Sequence, residues 1–169
     1  SVSTGAGPND IKLINDKLFV MNTGGWTNDS TITVIDALSF DVDTILKVGD
    51  MPLGCAVDDD NNLVVLCKGL TTYDAQWNPT IVSNSKIVAV NTETYEVTTL
   101  KDFSYQIDIF ATNLISYANG YVYYIDNDGV YSLQADTRNV TNIILGSFYG
   151  ISIEPNTNKY QKRTDFQYL

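Results

Sequence analysis

The side chains in this chain best placed to do chemistry are aromatic rings set among turn residues. Trp26 sits in Gly24-Gly25-Trp26-Thr27-Asn28-Asp29, and Tyr73 and Trp77 sit in Thr72-Tyr73-Asp74-Ala75-Gln76-Trp77-Asn78-Pro79. Tyr105 and Phe110 belong to the run from Phe103 to Phe110, and Tyr149 follows Phe148. A ring on a loop offers flat apolar area with a polar tip, suited to stacking on a ring compound or packing on a protein loop. Trp26, Tyr73, Trp77, Tyr105, Phe110 and Tyr149 are therefore the candidate ligand-binding set. The competing reading has these rings cover the ends of β-units and pack between neighbours.

The carboxylates support less. Asp74, Asp102 and Asp108 lie beside the ring-bearing segments and can accept hydrogen bonds from a bound amide or hydroxyl. An acid–base pair would need a fixed separation and a shifted pKa, and spacing alone supplies neither. Asp58-Asp59-Asp60-Asn61-Asn62 has the alternation used by calcium loops but lacks their glycine and distal Glu, so a solvated hairpin turn is expected. The chain has no histidine, which removes Ser-His-Asp and Cys-His nucleophile systems and His-ligated metals. Cys55 and Cys67 have no CxxC spacing, which excludes a zinc cluster. They fall on adjacent strands, where register decides whether they share a face, and two buried free thiols are expected. No catalytic residue, metal site or cofactor is expected, and the chain reads as a non-enzyme.

Ten Lys and Arg against twenty Asp and Glu give a formal charge of -10, which repels phosphate backbones, so nucleic acid is not an expected partner. No run of 18 apolar residues is present, so no helical span and no membrane insertion of this segment are expected. The first residues, Ser1-Val2-Ser3-Thr4-Gly5, lack the pattern of a signal peptide, so any signal peptide is expected to have been removed or never present. Abundant Asn, Asp, Thr, Tyr and Ser with scarce Lys suit a secreted bacterial surface protein.

The elements that must position these rings repeat. Asp16-Lys17-Leu18-Phe19-Val20, Asn62-Leu63-Val64-Val65-Leu66 and Gly120-Tyr121-Val122-Tyr123-Tyr124 align. Each is followed by a second β-rich run, Thr31–Asp36, Lys86–Asn91 or Gly129–Leu133, and then by Phe40-Asp41-Val42, Tyr95-Glu96-Val97 or Arg138-Asn139-Val140. A short apolar strand precedes each unit, and a fourth unit opens at Tyr149-Gly150-Ile151-Ser152-Ile153. The anchors Leu18, Leu63 and Tyr121 are 45 and 58 residues apart, the longer step carrying an insertion at 69–84. Four short runs per unit, with hairpin turns such as Asn15-Asp16 and Asn119-Gly120, predict an all-β fold of four-stranded antiparallel β-propeller blades. A β-sandwich is the competing fold, but it does not explain one four-strand pattern recurring in order.

The blades are expected at about 8–50, 51–104, 110–147 and 148–169, the last incomplete. Three blades and the start of a fourth fall short of a closed ring, so a partial propeller with two open edges is expected. The missing part would be deleted, cleaved off or supplied by another chain, and the open edges would favour self-association. With strands A to D counted outward from the axis, the B–C and D–A connections share one face, and all six candidate rings fall there.

Thr33-Val34-Ile35-Asp36, the segment from Val48 to Asp58, and Leu63 to Gly69 resemble the YncE-like, surface-layer type of seven-bladed β-propeller. The likeness covers nearly the whole chain through strand and turn residues, which speak to fold more than to function. The Tyr- and Asn-rich texture is similar to surface lipoprotein propellers of Bacteroides-like bacteria, some of which capture cobalamin for a TonB-dependent outer-membrane transporter. That resemblance implies a binding role at the cell surface or in the periplasm of a Gram-negative bacterium. Three functions are open. The first is a receptor for a corrinoid or similar bulky nutrient, and the second is a protein-interaction scaffold of surface-layer or transporter-docking type. The third, a propeller lyase or dehydrogenase, is disfavoured because lyases of the streptogramin-inactivating type use histidine and a metal.

Overall fold

The computed structural model describes residues 1–109, 113–153 and the backbone of 160–162. Every regular element among them is a strand. The first blade is a meander of β1 (Pro8–Ile14), β2 (Lys17–Asn22), β3 (Thr31–Asp36) and β4 (Val42–Lys47). The second is built from β5 (Pro52–Val57), β6 (Leu63–Cys67), β9 (Lys86–Val90) and β10 (Val97–Asp102). Between its β6 and β9 stands a separate two-stranded hairpin, β7 (Leu70–Tyr73) and β8 (Pro79–Ser83). The third comprises β11 (Ile115–Ala118), β12 (Tyr121–Asp126), β13 (Gly129–Gln134) and β14 (Val140–Leu145). A last pair, β15 (Ile151–Ile153) and β16 (Tyr160–Lys162), follows. The insertion at 69–84 is thus a hairpin for most of its length.

The inner strands β1, β5, β11 and β15 lie side by side, which makes the sheets successive blades of a partial propeller. Blades stack through apolar faces. Phe19, Met21, Ile32 and Val34 of the first meet Leu63, Val65, Val88 and Val90 of the second. Val64, Leu66 and Ile87 of the second join Ile115, Val122, Tyr124 and Leu133 of the third. A central blade is covered on both sides, so β6 reads Leu-Val-Val-Leu-Cys and is buried throughout. Cys55 and Cys67 are buried free thiols, pushed up by desolvation, Cys67 to about 12. Their register partners are Val65 and Pro52, so they do not pair directly across the β5–β6 ladder.

Turn chemistry sets the blade geometry. Asn15 and Asp16 both take positive φ in the first hairpin, as do Asn119 and Gly120 in the third. Each C–D turn closes the same way. Phe40 N–H donates to the Asp36 carbonyl, Tyr95 N–H to Asn91 and Arg138 N–H to Gln134, with φ of 61°, 63° and 62° at the donor residues. Three blades with unlike side chains thus share one backbone device.

The outward face of the first blade is not covered by another blade. Its β1 residues Ile11 and Leu13 are exposed, as is Ile45 on β4. Ile11 pairs with Val20 and Leu13 with Leu18, as Cys55 pairs with Val65 and Val57 with Leu63 in the second blade. In the second blade that face is buried against the first. Part of the open face is crossed by the N-terminal segment, where Gly5 N–H donates to Thr33 Oγ1 at 3.2 Å and Ala6 N–H to Asp29 Oδ2 at 2.7 Å.

Candidate functional site

The β7–β8 hairpin rises on the face that carries the B–C and D–A connections, and its base is locked by side chains. Ser83 Oγ donates to Asp50 Oδ2 at 2.6 Å and accepts from Leu70 N–H at 3.0 Å. Thr71 Oγ1 donates to Gln106 Oε1, and Gln106 Nε2 donates to the Ser83 carbonyl at 2.7 Å. Lys68 Nζ, largely buried below, pairs with Asp108 at 2.7 Å, and Asp108 N–H donates to Asn127 Oδ1 at 2.8 Å. The hairpin is therefore fastened to both flanking D–A connections and, through Asn127, to the third blade.

Its tip is a five-residue turn that occurs twice in the molecule. In Asp74–Asn78, Asp74 N–H donates to the Asn78 carbonyl at 3.2 Å and Trp77 N–H to the Asp74 carbonyl at 3.0 Å. Asp74 Oδ1 accepts the N–H groups of Gln76 and Asn78, and Asp74 Oδ2 accepts Asn78 Nδ2. In Asp58–Asn62 the corresponding bonds recur one for one. The fourth position is left-handed in both, φ 61° at Asn61 and 65° at Trp77. Asn tolerates that conformation, whereas a bulky side chain there is disfavoured. The Asn78 side chain, then the backbone N–H groups of Asn78 and Gln76, hold the Asp74 carboxyl below the usual carboxylate range against the opposing effect of desolvation.

The structure brings Tyr73 and Trp77 together, with ring centroids 6.0 Å apart at 51°, and leaves them 59% and 80% exposed. Trp26 is fully exposed in the Gly24–Thr27 turn, where Thr27 N–H donates to the Gly24 carbonyl at 2.8 Å. Tyr149 is exposed beyond β14. Tyr105 is a strut: its ring meets Phe103 edge-on at 5.5 Å and its hydroxyl donates to the buried Asp126 of β12. Burial and then the Asp126 carboxylate push its phenol well above the ordinary range. Phe110 lies outside the described residues. Of the carboxylates beside these rings, Asp74 is engaged in its own turn and Asp108 in the Lys68 pair. The Asp58 cluster forms the expected turn, and no group of three or more metal-ligating side chains occurs among the described residues.

A concavity elsewhere in the molecule escaped sequence reading. A cavity of about 470 Å³ opens along the inner strands, lined by Asn9, Asp10, Lys12, Leu53, Cys55 and Ile115 among others. Cys55 Sγ donates to Asp10 Oδ2 at 3.3 Å, and Asn9 Nδ2 to the Leu53 carbonyl at 2.8 Å. The polar residues Asn9, Asp10 and Lys12 at the start of β1 were its only signal in the sequence.

No family model matches the chain, and no curated protein matches it. Among solved structures it is similar to BamB from Moraxella catarrhalis, with a TM-score of 0.54 and 12% identity over 86% of this chain and 37% of that one. It is also similar to the N-terminal domain of Nup159, with a TM-score of 0.58 and 8% identity over 97% of this chain and 45% of that one. At these identities the likeness establishes fold, and the chain spans less than half the length of either structure.

Proposed function

We propose that this partial propeller is a non-enzymatic binding module working outside the cell at a bacterial surface, and that it recognises its ligand with rings on the B–C face. The observation that carries the reading is the tip of the β7–β8 hairpin, where two exposed rings touch on a stalk locked at its base. Such a pair supplies dispersion and apolar area, and Asp74 is already engaged within the turn. Small ligands are mostly enclosed by concave sites. The tip is exposed and projecting, which favours a protein surface, such as that of an outer-membrane transporter, over a corrinoid. The uncovered face of the first blade is read as the seat of a further blade, because its Ile11 and Leu13 occupy register positions that the second blade buries.

The test uses the whole chain, cyanocobalamin, and peptides selected on the chain by display. Selected peptides should lose tenfold or more in affinity on Trp77→Ala or Trp26→Ala and keep it on Asp58→Ala, at the opposite face. Equal loss on Asp58→Ala refutes the site. Tight cyanocobalamin binding abolished by Trp26→Ala and Trp77→Ala moves the ligand class to a corrinoid.

A further inference from the structure

We infer that Thr4–Gly7 is a link between blades, and that the open face of the first blade is covered by a four-stranded blade whose outermost strand runs directly into that link. This rests on the reading above of that face as a blade seat. It goes further by naming the source of the occupant, a blade joined to Thr4 through the main chain and not a second copy of this chain.

The D–A connection between the first two blades sets the comparison. Its Asp50 and Met51 carbonyls accept the N–H groups of Gly69 and Lys68, each at 3.0 Å, and Met51 is left-handed at φ 52°. Ahead of the first blade the same device recurs. The Ala6 carbonyl accepts Gly24 N–H at 2.8 Å, the Gly7 carbonyl accepts Thr23 N–H at 3.0 Å, and Gly7 has φ 57°. The donors match as well, with φ 96° at Gly24 and 90° at Gly69. A proline follows each left-handed residue, and Pro8 and Pro52 open their inner strands opposite Asn22 and Cys67, the last residues of β2 and β6. The register then shifts past one residue in both, at Asn9 and at Leu53. In sequence, Gly5-Ala6-Gly7-Pro8 and Gly49-Asp50-Met51-Pro52 share glycine and proline at the same places.

Local preference does not produce this path. A residue before proline is pushed toward extended backbone, so a left-handed residue there is held by its contacts. The same contacts hold Gly7 and Met51. The two segments part only at Gly5. Val48 and Gly49 N–H both donate to the Ser30 carbonyl of the blade they leave, whereas Gly5 N–H donates to Thr33 Oγ1 of the blade it enters. The likeness is therefore complete on the side of the blade being entered, and the difference falls on the side of the blade being left.

The face beneath the link has the positions of a blade interface. Leu18, Val20 and Ile35 occupy the register of Leu63, Val65 and Val90, which the second blade buries against the first. On the same face Ile11, Leu13 and Ile45 are 51%, 65% and 57% exposed. Asn22, in the register of Cys67, is buried with its Oδ1 unpartnered, although a buried acceptor nearly always has a donor. A blade that presents apolar side chains from its two middle strands, as the first presents Phe19, Met21, Ile32 and Val34 to the second, fits the apolar positions. A second copy docking there would call for no link in this conformation.

The experiment extends the chain with copies of its own blades. Residues 8–47 are placed directly ahead of Thr4, so that Lys47 runs into Thr4 as it runs into Val48. A second extension places residues 52–102 in the same way. Leu13→Cys, made at the original position only, reports cover by its rate of reaction with a thiol reagent, read site by site by mass spectrometry. In the unextended chain this thiol should react as an exposed cysteine does, whatever the protein concentration. In the extended chains it should react about a hundredfold more slowly, as a group reached only through local opening. Rates equal to the unextended chain in both extensions overturn the inference, whether or not the added residues fold. Slow labelling of the unextended chain that speeds up on dilution also overturns it and assigns the face to a second copy. A third extension joins residues 8–47 to Ser1 through a flexible linker of about twelve Gly and Ser residues. Protection in that chain alone overturns the link and leaves the face as a blade seat, and protection in none of the three removes both.

Discussion

Exchanging the residues at the left-handed positions of the two Asp-anchored turns puts a magnitude on the strain at Trp77. Trp77→Asn keeps every backbone bond of the turn, because the Asp58 turn makes the same set with Asn61. Placing a bulky residue at φ near 65° costs roughly 1 kcal/mol more than placing Asn there. Against that relief stands the ring contact with Tyr73, worth about 0.5 kcal/mol at so exposed a site. The expected net gain is therefore about 0.5 kcal/mol in the parent chain, rising to about 1 kcal/mol in a Tyr73→Ala background, where the ring contact is already gone. Local opening of the hairpin need not register in global unfolding, so the readout is amide hydrogen exchange at Asp74 and Asn78. In the Tyr73→Ala background their exchange should slow about fivefold on Trp77→Asn. The reciprocal Asn61→Trp change, in the turn that joins β5 and β6 of the central blade, should lower global stability by about 1 kcal/mol in urea. Faster exchange on Trp77→Asn in both backgrounds would refute the argument, since it would mean that Trp stabilises this turn.

Tyr124 is buried in the third blade, its ring 5.6 Å from Phe103 and 5.8 Å from Tyr131, so Tyr124→Ala should cost about 4 kcal/mol by urea denaturation. Lys17 bridges Asp36 at 2.8 Å and Asp43 at 2.6 Å, and its hydrogen bond, then those from Ser39 and Leu38 N–H, hold the Asp36 carboxyl well below the usual range. A depressed folded-state value gives stability that is present above the ordinary carboxylate pKa of about 4 and lost as pH falls below it, so Asp36→Asn should flatten the acid limb of the stability profile. Tyr105 is raised by burial and Asp126, so its contribution is present below about pH 10 and lost as pH rises beyond it; Tyr105→Phe should blunt the alkaline limb. Cys55 and Cys67, desolvated and protonated, should react with a thiol reagent only as fast as the chain opens, and rapid labelling of the native protein would contradict their burial.

The repeat, the four-strand pattern and the hairpin turns were legible because they depend on local backbone preference. Asn15-Asp16 and Asn119-Gly120 demand positive φ whatever surrounds them, and a buried central strand such as β6 must be apolar along its whole length. The same locality explains what was missed. Leu70-Thr71-Thr72-Tyr73 and Pro79-Thr80-Ile81-Val82-Ser83 have no strong period, and the base of their hairpin is held through Ser83 and Thr71 by Asp50 and Gln106, which come from two separate connections. Tyr105 reads as a loop ring, yet Asp126, 21 residues on, takes its hydroxyl and makes it a strut between blades. The exposure of Trp77 and the left-handed backbone beneath it are likewise invisible in composition. Each blade and its turns are specified within a few residues, so local preference is enough to reveal them. Which rings lie exposed, which are bound into the frame, and where inner strands leave a cavity are properties of the tertiary structure. Those outcomes depend on contacts between segments far apart in the chain, and no local preference encodes them.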